Sequence, residues 1–243
     1  MILLLMILRL TMSDNKKNEL VVHSASDLTL KFPEANQHIT SKEAKKTRKA
    51  VSTGGAYTPD GKAYVNKKAL PQVLATDKKG VNRFVNDLEN EDKMKNGSEV
   101  FVSAPSVMKE ISERIEWPID TIQKEKLRDS EGCVQALRDA PELDKIREIK
   151  ESNIRKELPG LKAKKIKAEN ITACQVSSKS LQPNSHAHHI VRKADDPWKA
   201  LDLNNIAVVN PVPHDEIHAA GAESPEELSK LCKEKGWNDP TRS

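Results

Sequence analysis

The chain has 243 residues, of which 31% are charged and only 3% are aromatic, and its formal net charge is +4. This length accommodates one large domain or two small ones, but so few aromatic residues are poor material for one large core. The composition therefore favours small domains joined by helices. The modest net charge does not by itself indicate a nucleic-acid partner.

The first ten residues, MILLLMILRL, are strongly apolar. They are too few to cross a bilayer as a helix, which needs about 20 residues. No basic region precedes them and no small-residue cleavage site follows, so they do not resemble a signal peptide. We interpret residues 1–11 as a misread upstream start, with a short membrane-seeking tag as the alternative, and we expect no membrane partner.

Residues 1–50 are predicted to form a poorly ordered arm, because the part after residue 12 is polar and rich in lysine, with one short extended candidate at residues 28–32. Residues 41–80 contain ten Lys or Arg against three acidic residues. Such a surface attracts phosphates regardless of sequence. A solubilising charged face would have the same composition.

Residues 51–117 are predicted to form a small basic α/β module. The segment Thr58-Pro-Asp-Gly61 has the residue types of a tight hairpin turn between two short strands. Helices are predicted at residues 70–76 and 78–90, and Asp77 is placed to cap the second one.

A strand is predicted at residues 99–102, followed by a helix that Ser103 caps. The helix pair and its flanking strands could form a winged or plain helix-turn-helix, with residues 78–90 as the reading helix. Its outward polar residues would then be Asn82, Arg83 and Asn86. A small α/β spacer domain is the alternative.

Residues 118–160 are predicted to be a charged helical connector or a pairing surface, with a thin apolar stripe of Leu143, Ile146 and Ile149. Four lysines follow it and could contact a nucleic-acid backbone: Lys162, Lys164, Lys165 and Lys167.

Five of the seven histidines lie between residues 186 and 218. An ordinary core has little reason to concentrate histidine, whereas a divalent metal site needs it. His214 and His218 are four residues apart in a segment predicted to be helical over residues 213–220. This spacing puts both imidazoles on one helix face, where they can bind one ion.

The pair His188-His189 is the expected source of a third ligand. Residues 185–191 are predicted to be extended, and neighbouring side chains of an extended chain point in opposite directions. One histidine could therefore face the metal while the other faces the substrate. Three protein ligands leave an open coordination position, as in catalytic rather than structural sites.

Together these segments resemble the HNH endonuclease, or ββα-metal, superfamily over about residues 165–221. In that family a metal-binding residue is followed at once by a general-base His, and an Asn in a Leu-Asp-Asn-Leu run precedes a second metal-binding His. In this chain Asn205 precedes His214 by nine residues, and His218 lies four further on. An apolar strand is predicted at residues 206–209.

The resemblance implies three ligands to one divalent ion, which could be Zn, Mg, Mn or Ni: His188, His214 and His218. It implies that His189 is the general base and that Asn205 either orients His189 or braces the loop between the strands. The implied reaction is hydrolysis of phosphodiester bonds in a nucleic acid, for which we favour DNA over RNA and leave the choice open. Two basic residues are weaker candidates for binding the phosphate: Arg192 and Lys193.

The chain departs from the family at the structural zinc. Many members carry two Cys-x-x-Cys knuckles, but here the corresponding segments read Cys174-Gln-Val-Ser177 and Asn210-Pro-Val-Pro213. One cysteine of four cannot bind zinc, so no structural zinc is expected. Asn204 stands where the family usually has Asp, and the spacing to His214 selects Asn205 over Asn204.

We therefore predict an α+β protein with an HNH nuclease domain at residues 161–243, braced by a C-terminal helix that begins at the capping box Ser224-Pro-Glu-Glu227. A mobile-element or phage endonuclease and a nuclease toxin both fit, and a toxin would need an immunity protein as partner. The alternatives are a DNA-binding regulator with an inactive HNH fold and a structural metal-binding module.

The three cysteines are far apart and odd in number, which predicts free thiols and a reducing compartment. We therefore expect a cytoplasmic protein.

Overall fold

The computed structural model describes residues 22–242 and divides the chain into two compact units, one ending at Glu148 and one beginning at Ile149. Both units combine helices with antiparallel strands, so the predicted α+β class is confirmed. The interpretation of residues 1–11 lies outside the described residues. Within residues 22–242, no helix has the length and apolar character needed to cross a membrane.

The N-terminal unit combines one antiparallel sheet with helices. Its strands are β1 (His23–Ser24), β2 (Gly55–Tyr57), β3 (Ala63–Asn66), β4 (Lys93–Asn96) and β5 (Glu99–Ser103). Its helices are α1 (Ser41–Gly54), α2 (Leu70–Val73), α3 (Lys78–Asp87), α4 (Ala104–Glu116), α5 (Thr121–Arg138) and α6 (Pro141–Glu157), the last of which continues into the second unit.

The strands of the sheet follow the order β1-β2-β3-β5-β4. Val65 on β3 lies opposite Val102 on β5, and both side chains are fully buried in the main core. The alternate positions place Tyr64 and Phe101 in a second, smaller cluster with Met94. Strand β4 is not among the predicted elements, because Lys93-Met-Lys-Asn96 has a single apolar residue and depends on pairing with β5.

The predicted hairpin turn between β2 and β3 is confirmed. The Thr58 N–H donates to the carbonyl of Lys62 at 3.0 Å, and the Gly61 N–H donates to the carbonyl of Thr58 at 2.8 Å. Gly61 has a φ of 84°, a left-handed conformation that glycine adopts without a steric penalty.

Helices α2 and α3 are present but end earlier than predicted. A left-handed Ala75, with a φ of 45°, prevents α2 from continuing, and the extended Leu88 ends α3. The Asp77 carboxylate caps α3 as predicted, accepting from the Gly80 N–H at 2.8 Å. The predicted outward residues of α3 are exposed: Asn82, Arg83 and Asn86.

The expected loose arm over residues 1–50 differs from the structure in its described part. Residues 41–54 form α1, and Ala25 is buried in the core. The Arg48 guanidinium donates to both carboxylate oxygens of Asp129, at 3.0 and 3.1 Å, and to the carbonyl of Pro33 at 2.7 Å. A long-range ion pair of this kind orders a polar segment and leaves no local pattern in its sequence.

The expected connector over residues 118–160 is helical, but its first half belongs to the core of the N-terminal unit. Leu127, Val134 and Leu137 on α5 are fully buried there, as is Leu143 on α6. The boundary between the units therefore falls inside α6 rather than at residues 117 and 160. Charged residues surround the narrow apolar stripe of α5, so its sequence alone predicts a solvent-exposed helix.

The C-terminal unit contains the predicted strand–strand–helix order. Its elements are α7 (Leu161–Glu169), β6 (His186–His189), β7 (Ile206–Val209), α8 (Pro211–Ala219) and α9 (Pro225–Lys235). Strands β6 and β7 pair antiparallel, with His188 opposite Ala207. The predicted extended segment, apolar strand and histidine-bearing helix are thus all present.

The predicted bracing helix is α9. Its capping box is present, and Gly236 ends the helix in a left-handed conformation with a φ of 66°. Leu228 and Cys232 pack in one core with Val209 of β7 and Ile217 of α8. The helix therefore supports α8, which carries two of the histidines, and β7, which pairs with the strand that carries the others.

Two of the four lysines expected to face nucleic acid hold the strands instead. The Lys162 ammonium donates to the carbonyl of Ser185 at 2.8 Å, just before β6. Lys165, which is 4% exposed, donates to the carbonyl of Leu203 at 2.9 Å, just before β7. Helix α7 therefore fixes the start of each strand.

Replacing Asp129 with Ala should lower the free energy of unfolding by about 3 kcal/mol, because the largely buried Arg48 guanidinium would lose its carboxylate. Equilibrium denaturation of the full chain measures this. The matched control is Asp139→Ala, which removes an exposed pair with Arg138 and should cost less than about 1 kcal/mol. Equal losses in both variants would show that the Arg48 pair does not order residues 22–50.

Candidate metal centre

The alternation of β6 and the helical repeat of α8 bring four histidines to one place. His186 and His188 are two residues apart on β6, so they share a face of the strand. His214 and His218 are four residues apart on α8, so they share a face of the helix. Because the β6 face packs against α8, these two pairs meet.

Three of these histidines can hold a metal ion. Each of His188, His214 and His218 offers a ring nitrogen, and the three nitrogens all lie within 4.8 Å of one another. The Nε2 atoms of His214 and His218 are 3.3 Å apart. Two ligands of a tetrahedral zinc ion are separated by about 3.3 Å when each bond is about 2.0–2.1 Å, so this spacing suits an ion. No other such group occurs within residues 22–242.

The electrostatics of the cluster favour neutral imidazoles, which is the form that binds metal. Burial, together with smaller contributions from the neighbouring His214 and His218, lowers the pKa of His188 to about 4. Burial, His186 and His218 also lower the pKa of His214, against an opposing effect of Asp215. These two ligands therefore favour the neutral form and need no proton release before they bind a cation.

His186 has a different relation to the cluster. Its ring stacks on the ring of His214, with centroids 4.4 Å apart and planes 15° from parallel. A metal ion lies in the plane of a ligating imidazole, so two stacked rings cannot both direct a nitrogen at the same ion. His186 therefore supports the ring of His214 and is not placed as a fourth ligand.

His189, the predicted general base, lies on the opposite face of β6 from His188. Its Nε2 atom is 2.9 Å from the carbonyl oxygen of Ala200, which lies in the loop between β6 and β7. A carbonyl oxygen can only accept, so Nε2 carries the proton in this contact. The neutral ring then has its lone pair on Nδ1.

Asn205 braces the loop and has no hydrogen bond to His189. Its Oδ1 accepts from the Val191 N–H at 2.7 Å, and its Nδ2 donates to the carbonyls of Val191 and Lys199 at 2.9 and 3.2 Å. Lys199 precedes Ala200, so Asn205 fixes the backbone that holds His189. Of the two roles that the resemblance implies, the geometry matches the bracing one. Asn204 is exposed.

The two weaker candidates for phosphate binding differ in their surroundings. Arg192 forms a two-point pair with Asp195, at 2.7 and 2.9 Å, and also bonds Glu223. A phosphate would have to displace these carboxylates to reach its guanidinium. Lys193 is exposed. The structure therefore leaves Lys193 more accessible than Arg192.

Hydrogen bonds connect Cys174 and Asn210, in the two segments for which the sequence predicts no structural zinc. The buried Cys174 sulfur accepts from the N–H groups of Ser177 and Asn210, each at 3.3 Å. The Asn210 amide accepts from the Gln182 N–H at 2.9 Å and donates to the carbonyl of Ser180 at 3.0 Å. Burial raises the pKa of the Cys174 thiol, but these N–H donors outweigh it and lower the pKa overall. All three cysteines are free and buried.

The sequence did not predict the contacts that hold the site in place, because they join residues that are distant in the chain. The carbonyl of Ala200, the clamps of Lys162 and Lys165, and the stack of His186 on His214 are all contacts across the fold. The position of His186 two residues before His188 was the one usable signal, because a strand puts both on the same face.

Comparison with family models, with curated proteins and with solved structures found no match.

Replacing His188 or His214 with Ala should weaken divalent metal binding on the order of 100-fold or more, because either change removes a ligand. His186→Ala should weaken it less than about tenfold, since only the support of a ligand is lost. Calorimetric titration of the metal-free chain with Zn²⁺ checks both, with His38→Ala as a control. Equal effects of His186→Ala and His214→Ala would contradict the three-ligand assignment.

Replacing Asn205 with Ala should cost about 2–4 kcal/mol of unfolding free energy, because three backbone groups of the loop lose a buried partner. Asn204→Ala, the matched control on an exposed neighbour, should cost less than about 0.5 kcal/mol. Denaturant titration of both variants measures the difference. Similar costs would mean that the choice of Asn205 over Asn204 is wrong.

Proposed function

We propose that the C-terminal unit is a metal-dependent endonuclease of the HNH type, which hydrolyses phosphodiester bonds in DNA. The observation that supports it best is the convergence of His188, His214 and His218 beside a fourth histidine, His189, whose proton position is fixed. His188 and His189 are neighbours on one strand, whose alternation separates metal binding from proton transfer.

His189 acts in this proposal as the general base, through Nδ1. Because its Nε2–H donates a hydrogen bond to the carbonyl of Ala200, the Nδ1 lone pair is free to take a proton from the attacking water. The half-buried ring is held by the backbone of the loop, so its orientation does not depend on a mobile side chain. Such pre-organisation lowers the cost of reaching the reactive geometry.

The ligand set fits an ion that takes part in catalysis. When bound, a divalent ion would supply positive charge to the scissile phosphate and the leaving oxygen. Three protein ligands leave a coordination position for substrate, whereas structural zinc sites have four. His188 is buried, while His218 is exposed, so the cluster has an inner and an outer side.

The basic residues after β6 would meet the substrate backbone. Lys193 is exposed and can contact a phosphate directly, whereas Arg192 must exchange Asp195 and Glu223 for phosphate oxygens. Such an exchange keeps the guanidinium paired both before and after substrate binding. Arg192 therefore serves as a second, conditional contact.

A DNA-binding regulator with an inert metal site is the second candidate. Helix α3 follows a four-residue turn after α2 and exposes amide and guanidinium groups of the kind that read base edges: Asn82, Arg83 and Asn86. This candidate predicts binding without cleavage. If the nuclease is instead a toxin, an immunity protein that covers the histidine cluster becomes a required partner.

Plasmid nicking by the full chain tests the proposal. The wild-type chain should cut supercoiled DNA only after Mg²⁺, Mn²⁺, Ni²⁺ or Zn²⁺ is returned to metal-free protein. His189→Ala should bind metal like the wild type yet cut at least about 100-fold more slowly, the lower end of a general base's contribution. His38→Ala, an exposed histidine of the N-terminal unit, is the control for histidine removal.

Either of two results would overturn the nuclease. A wild-type chain that shifts DNA on a gel but cuts it with no metal would favour the regulator. An His189→Ala chain that cuts as fast as wild type would remove His189 as the base, even if cleavage is real.

A further inference from the structure

The outer face of α1 consists of lysines. Lys42, Lys45, Lys46 and Lys49, which we call the lysine ridge, are all exposed and lie at positions i, i+3, i+4 and i+7 of the helix. The opposite face of α1 packs on the core through Ala44, Thr47 and Val51. The ridge is therefore one continuous stripe of positive charge about 10 Å long.

The lysine ridge does not stabilise the helix that bears it. Like charges at i, i+3 and i, i+4 repel each other, and cations in the first turns oppose the helix dipole. The acidic residue of the first turn, Glu43, is paired with Lys126 of α5 and lies off the ridge. Within residues 22–242, no salt bridge involves a ridge lysine. Helix stability therefore gives no reason for this arrangement.

A polar cleft adjoins the end of the lysine ridge. Thr53 lies one turn beyond Lys49 on the same face of α1 and lines a cleft of about 500 Å³. The rest of its lining mixes polar and apolar groups, among them Asn66, Lys68, Gln72, Asn96 and Phe101, and includes the Glu99 carboxylate, which pairs with Lys68 at 2.8 Å. The ridge of positive charge therefore leads into a cleft that offers amide donors beside one carboxylate that is already paired.

We propose that the lysine ridge and the adjoining cleft form a docking surface for the phosphate backbone of a nucleic-acid duplex, separate from the histidine cluster. Its length of about 10 Å matches about three phosphates of one strand, which follow one another about 3.4 Å apart along the duplex axis. The choice of DNA as the duplex rests on the proposed function. The ridge supplies affinity without sequence reading, because lysines contact phosphates rather than base edges.

The salt dependence of DNA binding tests this surface. The full chain is kept in EDTA, so that no cleavage occurs, and titrated against a labelled duplex of arbitrary sequence across a series of KCl concentrations. Replacing all four ridge lysines with Gln should make the slope of log K against log [salt] less steep by about 3, one unit for each lost phosphate contact. Thermal unfolding at an unchanged or higher temperature would show that the variant is folded.

The control variant removes the same charge from scattered, exposed positions: Lys109, Lys145, Lys230 and Lys233, each replaced with Gln. It should change the slope by less than about 1. Equal changes in both variants would mean that net charge alone drives binding, and the docking surface would be wrong. An unchanged slope in the ridge variant would also overturn it.

The same ridge variant also tests whether the surface binds an anionic membrane rather than a nucleic acid. If the ridge variant loses binding to phosphatidylserine vesicles and keeps its binding to DNA, the surface fits a membrane and the proposal fails. Cleavage is measured separately with metal present. A chain that cuts no DNA but shows ridge-dependent binding would contradict the nuclease and leave the docking surface standing.

Discussion

The pairing register of β6 on β7 is the constraint on which the candidate site depends. His188 lies opposite Ala207, on the face where α8 supplies His214 and His218. A slip of one residue would turn His188 away from α8 and put His189 in its place. Short strands of four residues have few ladder hydrogen bonds with which to resist such a slip. The register must therefore be fixed from outside the strands.

Side chains that donate hydrogen bonds to backbone carbonyls fix the register of the two strands. Lys162 and Lys165 of α7 hold the carbonyls that precede the two strands, and Asn205 ties the ends of the loop that joins them. In each case a side chain bonds a carbonyl at a strand boundary, where the ladder provides no partner. The histidines are thus placed by residues that lie outside the histidine cluster. The same design accounts for the burial of a lysine in a unit with a small apolar core.

Short-range sequence patterns predicted the local structure correctly, but they contain no signal for contacts between residues that are distant in the sequence. The i, i+4 spacing of His214 and His218, the apolar run of β7 and the capping box at Ser224 each have a short-range physical cause, and all three elements are present. The ion pair of Arg48 with Asp129 spans 81 positions and left no local signal, which is why residues 22–50 looked loose in sequence. The sequence also contains no signal for the contact of His189 with the carbonyl of Ala200 or for the contact of Asn205 with the carbonyl of Lys199. The second contact is what matches Asn205 to the bracing role.

The contacts of Cys174 and Asn210 have a consequence for how the C-terminal unit responds to its surroundings. In a domain cross-linked by a structural ion, depletion of that ion unfolds the chain, and folding follows metal supply. Here the corresponding loops are joined by hydrogen bonds that need no ion. In the proposed nuclease, loss of an ion from the histidine cluster would therefore leave the scaffold folded. Metal availability would then switch the proposed activity on and off without unfolding the C-terminal unit.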